Sequence, residues 1–304
     1  MQLRAFFLLA VCLFSPSRAA DLSVSDDLRL KVVSFNIRYL TTRDKGVNHW
    51  DTRQTRVADA IRHLDADVIG MQEAFFSQIG DLEAVLSPYH RVGVGRDDGA
   101  EEGETCSIFF RRDRFHLVDH GTFWLSNTPE VPGSKHWGNE VVRICTWALL
   151  RDKPSDRPFY VFNTHFDHVS QEAREQSARL ISERIAERSE SNAPFILMGD
   201  FNAAEDNPAI RYLKGEAVAL AGGEDIETTP IKMLDSFRVN HPDAIEVRTG
   251  HSFKGLTEGG KIDHVFVPQG TTVEAAAIDR FQQDGLYPSD HFPVTATLMF
   301  AAGP

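Results

Sequence analysis

Eight residues able to do chemistry stand where apolar runs begin or end. Asn36 closes LKVVSFN, Glu73 closes DVIGMQE, His165 closes FYVFNTH, and Asp200 and Asn202 follow the apolar start of FILMGDFN. Near the C-terminus the order inverts: Asp263 opens DHVFV, and the pair Asp290–His291 leads into FPVTATLMF. Carboxylates bind hard cations and take up protons, carboxamides hold water or phosphoryl oxygen, and imidazoles stabilise developing negative charge. Together they outline a hydrolytic metal site. Asp200 and Asn202 lie two apart, so an extended backbone turns them to the same side. Each residue alone has a plainer reading. Glu73 could be a solvated strand end, Asp200 and Asn202 an Asx turn, His165 a hydrogen-bonded packing residue, and Asp290–His291 a turn before the last strand. Asp263 could pair with Lys261 or a surface arginine. The plainer readings leave unexplained why all of them stand at the ends of apolar strands.

The elements that would position these residues can be read from the same pattern. Four apolar residues in a row, Phe195–Met198, predict a strand buried on both faces. Strands running in opposite senses would bring the later motifs to the rim where the earlier strands end. Further strands are expected at 30–35, 67–72, 105–110, 115–125 and 141–150. Asp51 with Gln54 three residues on predicts a helix start, with Val57, Ile61 and Leu64 at helical spacing. A second helix is expected over 77–86, and Ser170 is expected to cap a long one reaching about Arg188. The interleaving predicts an α/β chain in mixed layers and not a strict βαβ repeat.

The 304 residues are 42% hydrophobic and 25% charged, ordinary for a globular chain able to bury a sizeable core. Residues 1–19 differ: Arg4 precedes the apolar run 5–14, and Ser17-Arg18-Ala19 supplies small residues for signal-peptidase cleavage. That run is too short to anchor in a membrane, so a secreted or periplasmic protein is expected, with no membrane segment after cleavage. Val11 before Cys12 fits a lipoprotein box poorly. The formal charge is −12, and loss of Arg4 and Arg18 takes it to about −14. An acidic exterior repels polyanions, which weighs against nucleic acid as substrate, although a local basic groove could coexist with it. Cys106 and Cys145 then remain, read as buried free thiols; a disulfide stays open in an oxidising compartment, and neither has zinc-site spacing. No linker divides residues 28–300, which read as one domain, expected to be a monomer.

SFNIR, MQE, NTHFDH, GDFN, KIDHVF and SDHFPV, in this order, resemble the endonuclease/exonuclease/phosphatase superfamily of DNase I-like enzymes. The resemblance covers nearly all of the mature chain. It implies a four-layer sandwich of two mixed β-sheets flanked by helices, and hydrolysis of phosphate esters by an activated water at a divalent-metal site. It further implies Glu73 as the main Mg²⁺ ligand, with Mn²⁺ as substitute and Asn36 and Asp290 close to the metal or its waters. Asp200 would position and deprotonate the water, and Asn202 would hold it and the phosphate. His291, oriented by Asp263, and His165 would contact the phosphate. Glu104 resembles the acid that orients the equivalent of His165.

The superfamily includes enzymes acting on DNA, RNA, phosphoinositides and sphingomyelin, so substrate needs other evidence. NIRY, NHWDTR, FWLSNTPEVPGS, RICTWA and THFDH followed by Ala173–Arg174 are similar to a narrower bacterial branch. Arg38, Arg143 and Arg174 are candidate phosphate or substrate contacts. Trp50, His136, Trp137 and Phe253 are candidates for an aromatic pocket wall, with local packing as the alternative for each. The DNA-gripping basic clusters of a nonspecific nuclease are missing. The expected substrate is therefore a small or lipid-linked phosphoester, with a secreted nuclease as the alternative. The complete acid, amide and histidine set argues against a binding protein on an inactive scaffold. A calcineurin-like dinuclear enzyme would need an Asp-x-His near the N-terminus and a later Gly-Asn-His-Glu/Asp, and neither occurs.

Overall fold

A computed structural model describes residues 27–221, 223 and 225–302; the leader expected over 1–19 lies outside the described residues. The chain enters through β1 (Leu28–Asn36), a short 3-10 turn at Gly46–Asn48 and helix α1 (Trp50–Leu64), then β2 (Val68–Ala74), α2 (Phe76–Asp81) and α3 (Glu83–Leu86). Strands β3 (Tyr89–Val92), β4 (Thr105–Arg111), β5 (Phe115–Trp124), β6 (Ile144–Asp152) and β7 (Pro158–His165) lead to α4 (Gln171–Ala186). After β8 (Phe195–Asp200) come α5 (Pro208–Leu213), the short β9 (Val218–Ala219), β10 (Ile226–Glu227) and β11 (Met233–Asp235), and α6 (Ser236–Asn240). Strands β12 (Asp263–Pro268), β13 (Thr272–Ile278) and β14 (Val294–Phe300) close the fold.

The strands make two six-stranded sheets, ordered β13-β14-β1-β2-β4-β3 and β11-β12-β8-β7-β6-β5, and a two-stranded ribbon β10-β9. Both are mixed: β1 runs parallel to β2 and antiparallel to β14, while β8 runs parallel to β7 and antiparallel to β12. One apolar core fills the space between the sheets, with Val32, Ile108, Val161, Met198, Val265 and Leu298 among its members. A second lies between the outer face of the second sheet and helices α4 and α5, and a third between the first sheet and α1–α3. The result is the expected four-layer α/β sandwich. The two sheets approach closely at Gly70, where a Cβ would lie 2.5 Å from the sulfur of Met198.

Ser170 caps α4 as expected, its hydroxyl accepting from the Ala173 amide. Other boundaries differ. Helix α1 starts at Trp50 with His49 as its cap, which leaves Asp51 in the first turn. The helix expected over 77–86 is broken at Leu82 into α2 and α3. Strands β3, β11 and β13 had no clear signal; β13 is a half-exposed edge strand carrying a bulge, and β11 is three residues long. Cys106 and Cys145 are both buried free thiols.

Candidate active site

The rim is built where the two sheets end together. Register places Asp200 directly opposite both His165 on β7 and Asp263 on β12, so three polar residues meet across adjacent strands. The first sheet contributes Asn36 at the end of β1 and Glu73 on β2. Glu73 sits at a bulge, between Gln72 and Ala74, with φ +65, a conformation few non-glycine residues adopt. The irregularity swings its carboxylate from strand spacing towards Asn36 and the 37–39 turn. Tyr39 N–H donates to Glu73 Oε2 at 3.0 Å, and Asn36 Nδ2 donates to Glu73 Oε1 and Asp200 Oδ2, each at 3.0 Å. Asn36 Oδ1 accepts from Arg38 N–H at 2.9 Å. The Asn36 amide thus holds the two acids together while its oxygen accepts from the backbone, which places Asn36 beside the groups expected at the cation.

Asn202, with φ +46, donates its backbone N–H to Asp200 Oδ1 at 2.8 Å. Its side-chain nitrogen lies 3.0 Å from His165 Nε2 and 3.1 Å from Phe166 O. His165 Nε2 also lies 3.4 Å from Asp200 Oδ2, and its Nδ1 lies 4.0 Å from Glu104 Oε2. The same Glu104 oxygen accepts from Arg96 Nη1 at 2.7 Å. His291 Nδ1 donates to Asp263 Oδ2 at 2.8 Å. Arg38 Nη1 lies 3.6 Å from Asp290 Oδ2, and its guanidinium also pairs with Asp44.

Burial and charge divide the titrating groups. Burial and the neighbouring arginines push His165 well below the ordinary imidazole range, so it is neutral. Burial opposes charge on His291 too, but Asp263 and Asp200 outweigh it and hold the ring protonated. Burial, with Asp263 beside it, raises Asp200 to about 7, and burial raises Glu104 to about 7. One imidazole is therefore neutral and one cationic on either side of a carboxyl poised near neutrality.

Ligand atoms of Glu73, His165 and Asp200 all lie within 4.8 Å of one another, as do those of Asp200, Asp263 and His291. The first group, with Asp290 nearby, is oxygen-rich and part-solvated, and fits a hard divalent cation that keeps several waters. A cavity of about 600 Å³ opens over both groups and is lined by Glu73, His165, Asp200, Asn202, Asp290 and His291 together with Arg38, Arg43, Arg96 and Arg143. Arg143, 4% exposed, lines the cavity with its Nη2 3.2 Å from His168 Nδ1 and its Nε 3.9 Å from Asp167, and its buried Nε and Nη1 have no hydrogen-bond partner.

Several expected contacts do not reach it. Trp50 is buried in α1 with its indole N–H on Asp81, a packing anchor. Trp137 packs against the core under α4, and its carbonyl accepts from Ser170 Oγ. Arg174 is spent on Gln171 and the Asp167 carbonyl. Phe253 lies over Arg53, and His136 is outside the cavity lining. Tyr39, Phe75, Arg43, Arg96, Glu140 and His168 line the cavity unanticipated. NIRY gave a hint of Tyr39, three residues beyond the β1 end, whereas the others sit in loops that carry no periodicity.

Carboxylates, amides and imidazoles of opposite protonation, converging with arginines at the joint rim of two sheets, define a hydrolase of phosphoester bonds. The model of the Endonuclease/Exonuclease/phosphatase family matches residues 33–291, and the chain belongs to that family of metal-dependent phosphoester hydrolases. Its fold matches an endonuclease/exonuclease/phosphatase from Bacteroides vulgatus at 34% identity, covering 89% of this chain and 98% of that one, with TM-score 0.77. A mannosyl-6-phosphatase of Bacteroides thetaiotaomicron VPI-5482 is 32% identical, with 89% and 100% covered and TM-score 0.76. A protein of Acanthamoeba polyphaga mimivirus is 28% identical over 245 residues, 78% of this chain and 87% of that one.

Proposed function

We propose that the chain hydrolyses a small phosphate monoester carried on a sugar or similar polyol, with Mg²⁺ as the working metal. The observation that carries this reading is the cavity of about 600 Å³ in which the reactive groups meet four arginines. That volume suits a sugar phosphate-sized ligand. Its mixed lining of carboxylates and guanidinium groups offers acceptors and donors to hydroxyls as well as to phosphate. The similarity to a mannosyl-6-phosphatase supports the same class.

In this reading Asp200, raised to about 7, takes the proton of the attacking water as the water oxygen bonds to phosphorus and the ester P–O bond breaks, and the departing sugar oxygen takes a proton from solvent water. Asn202 orients that water and the phosphate. His291, kept cationic by Asp263, and the free donors of Arg143 stabilise the charge that builds on the phosphoryl oxygens. Glu73, with Asp290 and Asp200 beside it, would hold the cation, which when bound neutralises phosphate charge and polarises the phosphoryl group. The reading includes export, supported by the leader-like residues 1–19. N-terminal sequencing of protein recovered outside the cytoplasm should start near residue 20, and an intact Met1 there would reject cleavage.

The test compares phosphate release from a panel of hexose phosphates with cleavage of duplex DNA, with Mg²⁺, between about 50 and 200 mM salt. Higher kcat/KM on a sugar phosphate and a shallow salt slope are expected. Efficient DNA cleavage with a steep slope would overturn the reading in favour of a nuclease.

A further inference from the structure

Arg53, on the first turns of α1, is fully buried, yet it does not face the cavity. Its donors reach four backbone carbonyls: Nη1 to Ile37 at 2.6 Å and Pro288 at 3.0 Å, Nη2 to Arg38 at 2.6 Å, and Nε to Asn48 at 3.1 Å. All four acceptors lie outside the named strands, in the turns that follow β1 and precede β14 and in the short turn before α1. The guanidinium lies 4.9 Å from the Trp50 ring centre and 5.7 Å from that of Phe253. Ser289 joins the same two segments, its hydroxyl donating to the Asn36 carbonyl at 2.7 Å. Arg56, one turn along α1, adds contacts to the carbonyls of Val47 and Tyr287.

The segments so joined carry groups that border the proposed cation site: Asn36, whose amide holds Glu73 and Asp200, on one side, and Asp290 on the other. Arg38 holds φ +61, and its carbonyl accepts from both Arg53 and Gln78, so the strained turn is pinned from two directions. An apolar side chain would fill this interior position without the desolvation that a guanidinium incurs. A planar fork with five donors is what four converging carbonyls require.

We propose that Arg53, with Ser289, is a positioning clamp that sets the spacing between the Asn36–Arg38 turn and Asp290, and through it the affinity of the site for its divalent cation. The clamp rests on the metal reading above and adds to it a residue that touches neither cation nor substrate.

The test is calorimetric titration of the metal-free protein with Mn²⁺, with circular dichroism as the fold check. Arg53→Lys keeps the charge but loses the fork and should bind Mn²⁺ about tenfold more weakly while remaining folded, the size of loss typical when a group that orients ligands is removed. Ser289→Ala deletes one hydroxyl and should weaken binding about threefold in the same direction. A folded Arg53→Lys protein with wild-type Mn²⁺ affinity overturns the clamp. If that variant fails to fold, Ser289→Ala decides, and unchanged affinity there overturns it equally. Glu73→Gln is the control that separates the two readings. Unchanged Mn²⁺ binding in that variant rejects the metal site and the clamp together. Lost binding in Glu73→Gln with intact binding in the clamp variants rejects the clamp alone.

Discussion

Asp200 has more demanded of it than any other residue: fully buried, raised to about 7, bonded to Asn36 and to the Asn202 backbone, and facing both histidines. Asp200→Asn preserves shape but cannot accept the water's proton, so kcat should fall at least about 10²-fold in stopped assays of a protein with unchanged circular dichroism. A variant with wild-type kcat would remove Asp200 from the base role. Glu73→Gln should leave a protein that no added Mg²⁺ or Mn²⁺ activates, because a neutral amide replaces the anionic ligand; metal-dependent rates near wild type would count against it. The residues facing the cavity from strand ends were legible in the sequence because a polar group after an apolar run has one place to go, the rim. Those contributed by loops were not. Trp50 looked like a free aromatic beside a polar loop, but helical periodicity turns it inward at the start of α1, and its place in the plan is taken by Arg53 three residues later.

Among the elements, β8 shows how backbone and chemistry are tied. Gly199, at φ +156, packs so that a Cβ would fall 2.1 Å from the Thr164 carbonyl on β7, against backbone that cannot give way. Gly199→Ala should cost about 1–3 kcal/mol and move Asp200 out of register with His165 and Asp263. Thermal melts should show a loss of several degrees, at about 2–4 °C per kcal/mol for a chain of this size, together with a drop in kcat. An alanine variant as stable and active as the parent would mean that the two strands have more room than the structure shows. The strands that carry motifs were found from sequence because burial on both faces makes them continuously apolar. Edge strands such as β13 were not, because one-sided burial and a bulge erase both the run and the alternation. The helix expected over 77–86 was misjudged as continuous for a related reason: its break at Leu82 keeps helical contacts on both sides and leaves the apolar spacing intact.

At the scale of the molecule, an ionic knot lies beneath the loop after β8. Lys261 is fully buried, 2.6 Å from Asp235 and 2.6 Å from His264 Nδ1, while His264 Nε2 donates to the Ala203 carbonyl. Burial disfavours the Asp235 carboxylate, but Lys261 and His264 outweigh it and hold its pKa well below the usual value. A folded-state pKa below the unfolded one near 3.9 contributes stability that is present above that pH and lost as pH falls towards the folded value. The Asp235 contribution should therefore be present above about pH 4 and fade below it, read as a difference in urea midpoint between the parent and Asp235→Asn that narrows as pH falls below about 4. Asp235→Asn should cost about 3–5 kcal/mol at neutral pH by stranding the Lys261 charge. A difference that does not narrow would remove Asp235 from this account. The pairing of β1 has a different consequence. The first strand sits between β2 and β14, so its second neighbour comes from far along the chain, after every other strand, and the same stretch brings Asp290 and His291. A nascent chain that has delivered β1 to β12 already holds Glu73, Asp200 and Asp263, yet it has neither the closing strand nor the second histidine. Closing the first sheet and completing the rim are therefore coupled, because β14, which pairs with β1, is the strand that directly follows Asp290 and His291.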